Sequence, residues 1–132
     1  MRGGGHMPIA DAANINATGV LISSTNLKTL ALSNDKSYLS VGPGPRWGDV
    51  FTYLNGTDLM VVGGRLGPVG VPGLLLGGGM SFYSFNRGLA SAGGKIKAYE
   101  VCTSQYLEHG TSLKLYAVRA CRRVNCRCKS RQ

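Results

Sequence analysis

Arg2-Gly3-Gly4-Gly5-His6 sets three glycines between a cation and an imidazole at the start of the chain. Glycine has no Cβ, so such a run accepts positive φ and lets the backbone lie directly against another molecule. Successive N–H groups in that setting form a concavity for anions, phosphate above all. His6 adds a ring nitrogen able to bond to a ligand. The plainer reading is a loosely held terminus. A second glycine series runs through "GGRLGPVGVPGLLLGGGMSFYSFNRGLAS", where Gly63-Gly64 and Gly77-Gly78-Gly79 bracket an apolar stretch broken by Gly67, Gly70 and Gly73. Scattered glycines in apolar surroundings mark bulges and tight packing. So many at close, repeated spacing fit better with backbone laid along an extended anionic ligand. Neither series is a Rossmann fingerprint, because the strand–turn–helix context is missing, and Gly42-Pro43-Gly44 is not a P-loop, because no Gly-Lys-Ser/Thr follows.

These loops need short elements to hold them. "TGVLISS" (18–24) is β-branched and apolar, a strand candidate. "LKTLALSNDKSYLSVG" reads as a hairpin turning at Ser33-Asn34-Asp35-Lys36. "PRWGDVFTYLNG" suits a short helix, with Pro45 and Asp49 at its start and Gly56 after its end. Trp47, Val50, Phe51 and Leu54 fall at helical spacing there, which makes Trp47 a core residue rather than a ligand contact. "DLMVVGG" is a further strand ending in a glycine pair.

The 132 residues suffice for one small domain. Hydrophobic content of 43% excludes compositional disorder, no apolar run reaches membrane-helix length, and "MRGGGHMPIADAAN" has no apolar centre of the kind a secretory signal needs. Compartment is therefore left open. The charge of +9 is uneven: the last 31 residues carry seven of the fifteen Lys/Arg and one of the six Asp/Glu. All four cysteines (Cys102, Cys121, Cys126, Cys128) lie there too. The composition divides the chain near Val101, with 1–101 as one unit and 102–132 as a basic, cysteine-bearing, irregular tail. The tail's Cys-x₄-Cys-x-Cys spacing lacks the ligand pairs of a zinc site, so no metal is expected. "RACRRVNCRCKSR" could meet phosphate backbones through its cations, but it has no interleaved aromatics, and nucleic acid is not favoured. A further reading takes the tail as translated non-coding sequence, since Val101-Cys102 can be encoded as an intron donor string. His109, Tyr106 and Tyr116 sit in the tail and are not expected to do catalytic work. Asn16-Ala17-Thr18 and Asn55-Gly56-Thr57 fit the N-glycosylation pattern.

In order, Arg2–His6, Gly42–Val50 and Gly63–Gly79 resemble the flavin-binding (PCMH-type) domain of the vanillyl-alcohol oxidase superfamily. The resemblance is greatest to its berberine-bridge-enzyme-like, oxygen-dependent FAD-linked oxidoreductases. It covers roughly His6 to Val101. It implies an α+β fold, part of a PCMH-type domain with short antiparallel strands, few short helices and glycine-rich loops. FAD is the implied cofactor, with Gly3, Gly4 and Gly5 along its pyrophosphate and His6 joined covalently to the isoalloxazine ring. Gly63, Gly64, Val69, Gly70, Gly73, Gly77 and Gly78 would pack against flavin, ribityl and phosphate. Some relatives add a cysteine tether in the later loop; the matching place here is Leu66, which leaves His6 alone. The implied reaction is hydride transfer from a small-molecule substrate to FAD, with reoxidation by oxygen. The family's catalytic base and substrate half lie downstream, so the catalytic residues are unknown and the activity is expected to be incomplete in this chain. "AGGKIKAYEV" replaces the family's Asp-Asn-Val passage, which lies near adenine. The rival reading is a non-catalytic remnant or a small basic interaction protein.

Overall fold

The computed structural model describes residues 1–92 and 95–100 in full, and 116–119 and 121–122 as backbone. The architecture is α+β, built from short antiparallel strands and short helices. Strands β1 (Leu30–Leu32) and β2 (Tyr38–Val41) form the hairpin expected around Ser33–Lys36, with Leu30 opposite Val41 and Leu32 opposite Leu39. Alternation along β2 buries Leu39 and Val41 and leaves Tyr38 and Ser40 half-covered, as a pleated strand with one core face requires. Lys36 takes φ 55 in the turn, and its N–H donates to the Ser33 carbonyl at 2.9 Å.

The Ser33 hydroxyl, followed by the Ser37 hydroxyl and backbone N–H, holds the exposed Asp35 carboxyl down to about 2 from its ordinary 3.8. A depressed carboxyl favours the folded turn above its unfolded pKa and loses that contribution as pH falls through the folded value. Asp35 should therefore titrate by NMR with a midpoint near 2; a midpoint at the ordinary carboxylate value would show that the serines do not engage it.

Helix α1 (Trp47–Leu54) buries Trp47, Val50 and Leu54. Phe51 stays 42% exposed, and its ring meets Trp47 at 6.0 Å. Asp49 accepts the Arg46 backbone N–H at 2.8 Å, fixing the first turn. Strand β3 (Leu59–Met60) is shorter than the sequence suggests, and the chain after Met60 runs on without a ladder partner among the described residues. Two further helices, α2 (Val71–Leu76) and α3 (Ser84–Arg87), lie in the glycine-rich stretch read as loops. Pro72 inside the first turn and Gly77 after the last explain α2 despite its poor helix formers. Strand β4 (Ile96–Ala98) completes the fully described elements.

Strands β5 (Tyr116–Arg119) and β6 (Cys121–Arg122) come from the segment after residue 101. β5 lies between β2 and β4, giving the order β1-β2-β5-β4, and β6 pairs with β3. Cys102, Tyr106, His109, Cys126 and Cys128 lie outside the described residues, as do the side chains of Tyr116 and Cys121.

The stretch 18–24 is not a strand. Only Ser23 makes a bridge, parallel to Arg2, and Val20 and Ile22 stand 87% and 64% exposed. Strand propensity without a neighbour to pair with does not make a strand.

One core cluster joins Leu39, Val41, Trp47, Val50, Leu54, Leu59, Val61, Val62, Val71, Leu75 and Ala90. Trp47, wholly buried, is its largest member. Among the described residues no helix is long and apolar enough to cross a membrane.

Candidate functional site

The N-terminal glycine loop starts from a fixed point. Arg2 donates its N–H to the Ile22 carbonyl at 2.8 Å and accepts from Ser24 N–H at 3.0 Å. The buried Ser24 hydroxyl ties the same segment to Pro43, donating to its carbonyl at 2.8 Å. The Arg2 guanidinium donates to Asn14 at 2.7 Å. From this anchor the chain turns through Gly5 at φ 68 to the exposed His6. The N–H groups of Gly3, Gly4, Gly5 and His6 donate to no described residue. They form a strip of unused donors along a largely exposed backbone.

The second loop is strapped to the start of α1. Trp47 N–H donates to the Val69 carbonyl and Gly48 N–H to the Gly67 carbonyl, each at 3.0 Å. Val71 N–H returns to the Pro45 carbonyl at 3.2 Å, and the Arg46 guanidinium donates to the Pro68 carbonyl. The first N–H groups of α1, which a helix cannot satisfy internally, are thereby spent on fixing this loop rather than on a ligand. Arg46 and Asp49 were not singled out as site-forming residues by the sequence, although the three-residue spacing of Arg46 and Asp49 is that of a capped helix start.

The two loops meet at Gly4 and Gly70. A Cβ on Gly4 would sit 2.5 Å from Gly70 Cα and N, and a Cβ on Gly70 would sit 2.7 Å from Gly4 Cα and N. Backbone stands against backbone, with no side chain able to give way. Distant motifs, 66 positions apart in the sequence, thus form one surface.

Gly63 and Gly64 are buried for another reason. A Cβ on Gly63 would lie 2.3 Å from Trp47 Cζ3, and one on Gly64 2.5 Å from Trp47 Cδ1. Their missing side chains make room for the indole. The backbone N–H groups of both also donate to no described residue. Gly63→Ala should destabilise the fold by about 1–3 kcal/mol through overpacking. Part of that loss should return on adding Trp47→Phe, because the two sites share one contact. Urea unfolding of the four variants checks this, and full additivity would show that Gly63 and Trp47 are not coupled.

Val69 is half-buried behind Gly70, and Gly73 is an exposed α2 position with nothing within 4 Å of a Cβ. Gly77 caps α2, its N–H reaching the Gly73 carbonyl at 3.1 Å. Gly78 takes φ 100, and its carbonyl accepts Ser91 N–H at 3.2 Å. Gly79, at φ 75 and 2.6 Å from Ala90 Cβ if given a Cβ, closes the base of the 80–89 loop. Its place in a triple glycine run was the available signal for that closure.

The structure brings Gly4 and Gly70 together directly, with Gly3, Gly5 and His6 beside Gly4 along the chain. It links Gly63 and Gly64 to them through Trp47, whose N–H holds Val69. Gly73, Gly77 and Gly78 follow along α2 and its end. Unused N–H donors on the exposed Gly3–His6 strip, with positive φ at Gly5 beside them, suit a ligand carrying phosphate oxygens. Among the described residues no His, Cys, Asp and Glu group is arranged to hold a metal ion.

Comparison with known proteins agrees with this donor chemistry. The family model described as an FAD binding domain matches residues 1–105. The FAD-dependent monooxygenase prx3 of Penicillium roqueforti is 46% identical over 98 residues, covering 74% of this chain and 19% of that protein. The FAD-dependent monooxygenase AOL_s00215g279 of Arthrobotrys oligospora is 44% identical over 91 residues, 69% of this chain and 18% of that protein. The FAD-dependent monooxygenase FUP4 of Fusarium proliferatum is 37% identical over 120 residues, 88% of this chain and 23% of that protein. The chain thus spans about a fifth of the length of the curated relatives it matches. No solved structure matches.

Proposed function

The chain belongs to the family of FAD-binding domains, and on that premise we propose that it forms the cofactor-holding part of an FAD-linked oxidoreductase of the berberine-bridge-enzyme-like type. The observation that carries this reading is the Gly4–Gly70 approach, which joins two glycine loops into one donor-lined surface. FAD is the cofactor. Bound, it supplies a two-electron acceptor that takes a hydride from a substrate C–H and passes the electrons to oxygen. The chain's own residues bind and orient. Gly3, Gly4 and Gly5 offer N–H groups to the pyrophosphate, and His6 stands beyond them as the covalent tether. Val69, Gly70, Gly73, Gly77 and Gly78 line the same surface. Gly63 and Gly64 serve it through the Trp47 packing and the face of their backbone that Trp47 leaves free. The FAD-binding unit is proposed to end near residue 101; the family match ends at residue 105, while β5 and β6 add strands from residues 116–119 and 121–122 to its sheets. The substrate is a small molecule bound by parts of the longer protein.

The relatives' names favour one alternative at the oxygen step, insertion of an oxygen atom into the substrate. The test is a full-length protein carrying this segment, purified and mixed anaerobically with candidate substrates. Bleaching of the flavin absorbance by substrate, and its return with air, is the expected result. Peroxide release then marks an oxidase, and labelled oxygen in the product marks a monooxygenase. A purified, folded protein without flavin absorbance would refute the reading.

A further inference from the structure

Beside α1, a groove of about 750 Å³ is lined by Phe51, Thr52, Asn55, Met60 and Tyr83 among others. It touches none of the residues assigned to the cofactor, so that function leaves it unexplained. Asn55 is the acceptor position of the Asn55-Gly56-Thr57 sequon and forms part of the groove wall. It lies exposed, immediately after α1, and its carboxamide bonds to no described residue. Gly56 follows at φ 78, with nothing within 4 Å of a Cβ. Thr57 holds the turn from behind: its hydroxyl donates to the Leu54 carbonyl at 2.7 Å and accepts Leu59 N–H at 3.2 Å. The turn is thus fixed, open on its outer side, and carries a free carboxamide at its tip.

The groove beside it offers what a sugar ring uses. Phe51 and Tyr83 are 42% and 50% exposed. Aromatic faces, whose π clouds are electron-rich, meet the polarised C–H groups on the flat side of a pyranose. Asn16 makes an informative contrast. It heads the other sequon, with its carboxamide oxygen accepting the Thr18 N–H at 3.0 Å and the Thr18 hydroxyl, but it does not line this groove.

We propose that Asn55 is an N-glycan acceptor and that the first sugar lies in the groove against Phe51 and Tyr83. The donor is a lipid-pyrophosphate-linked oligosaccharide, and the catalyst is the host's oligosaccharyltransferase. The Asn55 amide nitrogen forms the bond to C1 of N-acetylglucosamine as the C1–oxygen bond breaks. The lipid pyrophosphate leaves with that electron pair, and the amide gives up one N–H proton. No oxidant or reductant is needed.

The test is translation of the whole chain behind a secretory leader in the presence of microsomes, which reads acceptor use even where later folding is poor. The expected product loses mass on treatment with peptide-N-glycosidase, which converts Asn55 to aspartate, and Asn55→Gln abolishes that shift. Thr57→Ser, which keeps both hydroxyl contacts and the sequon, should retain it. Modification of Asn16 alone, or of neither asparagine, overturns the proposal. For the groove contact, secreted glycoprotein should melt a few degrees higher than its enzymatically deglycosylated form. Tyr83→Ala should reduce that difference by at least half without changing acceptor use. An undiminished difference in Tyr83→Ala, or none in the unsubstituted chain, removes the sugar from the groove.

Discussion

Alanine at Gly70 is expected to strip a full-length protein carrying this segment of most of its flavin, and alanine at Gly4 to do the same. Each added Cβ would stand 2.5–2.7 Å from the partner glycine's Cα and N, well inside ordinary contact distance. The obstruction is backbone, so relief requires moving a whole loop. The 67–71 loop resists, because Trp47, Gly48 and Val71 N–H groups and the Arg46 guanidinium all hold it to α1 and its approach. The Gly3–Gly5 loop resists less, since among the described residues its backbone is hydrogen-bonded only at Arg2, so it is the one that moves. Displacing it separates the unused donors from the surface they share with Gly70. Overpacking of this kind costs about 1–3 kcal/mol, so flavin affinity should fall on the order of 10- to 100-fold. The double variant should be little worse than either single one, because both lesions break the same contact. Gly73→Ala is the useful control. Its Cβ meets nothing, and alanine is the better helix former, so the fold should hold. Flavin lost from a stably folded Gly73→Ala protein would fit the place on the cofactor surface proposed for Gly73, and full flavin content would take Gly73 off that surface. Full flavin content in Gly70→Ala would mean that the loop contact does not shape the cofactor surface.

The same geometry explains how far the sequence could be read. The hairpin and α1 were legible because each carries its own signal: alternation with a turn at Ser33–Lys36, and Trp47, Val50 and Leu54 at helical spacing. The Arg2–His6 and Gly63–Gly79 motifs were legible as close-approach segments. What each glycine approaches was not, since a missing Cβ does not name its neighbour. Gly4 and Gly70 face each other, whereas Gly63 and Gly64 face Trp47, and the four are alike in the sequence. α2 was hidden by the same composition, as glycine and proline argue against helix except at its ends, and α3, four residues long, is too short to show a helical period. The stretch 18–24 misled in the opposite direction. Its apolar, β-branched residues look strand-forming, but only the Ser23 bridge is available to it.

Replacing His6 by alanine should remove all acid-stable flavin from the full-length protein while leaving FAD bound reversibly. The tether is inferred from the resemblance, and the structure supplies three conditions it needs. His6 is exposed, so a ligand can reach its ring. Gly5 at φ 68 turns the chain immediately before it, and Gly4 is fixed against Gly70 two residues earlier. The imidazole therefore leaves the end of the donor strip, where a ligand held by its phosphates would extend past Gly5. No other described residue offers a substitute nucleophile at the later loop, since Leu66 occupies the place where a second tether would stand. The alanine variant loses only the ring. Its Gly3–Gly5 donors and the Gly4–Gly70 contact stay in place, so FAD should still bind and still fluoresce on release. Denaturing in acid and separating protein from supernatant gives the readout. In the unsubstituted protein the flavin stays with the pellet; in His6→Ala it moves to the supernatant. Flavin that remains in the His6→Ala pellet would assign the tether to another residue. Flavin already free in the unsubstituted protein would show that FAD is held by the glycine loops without a covalent bond.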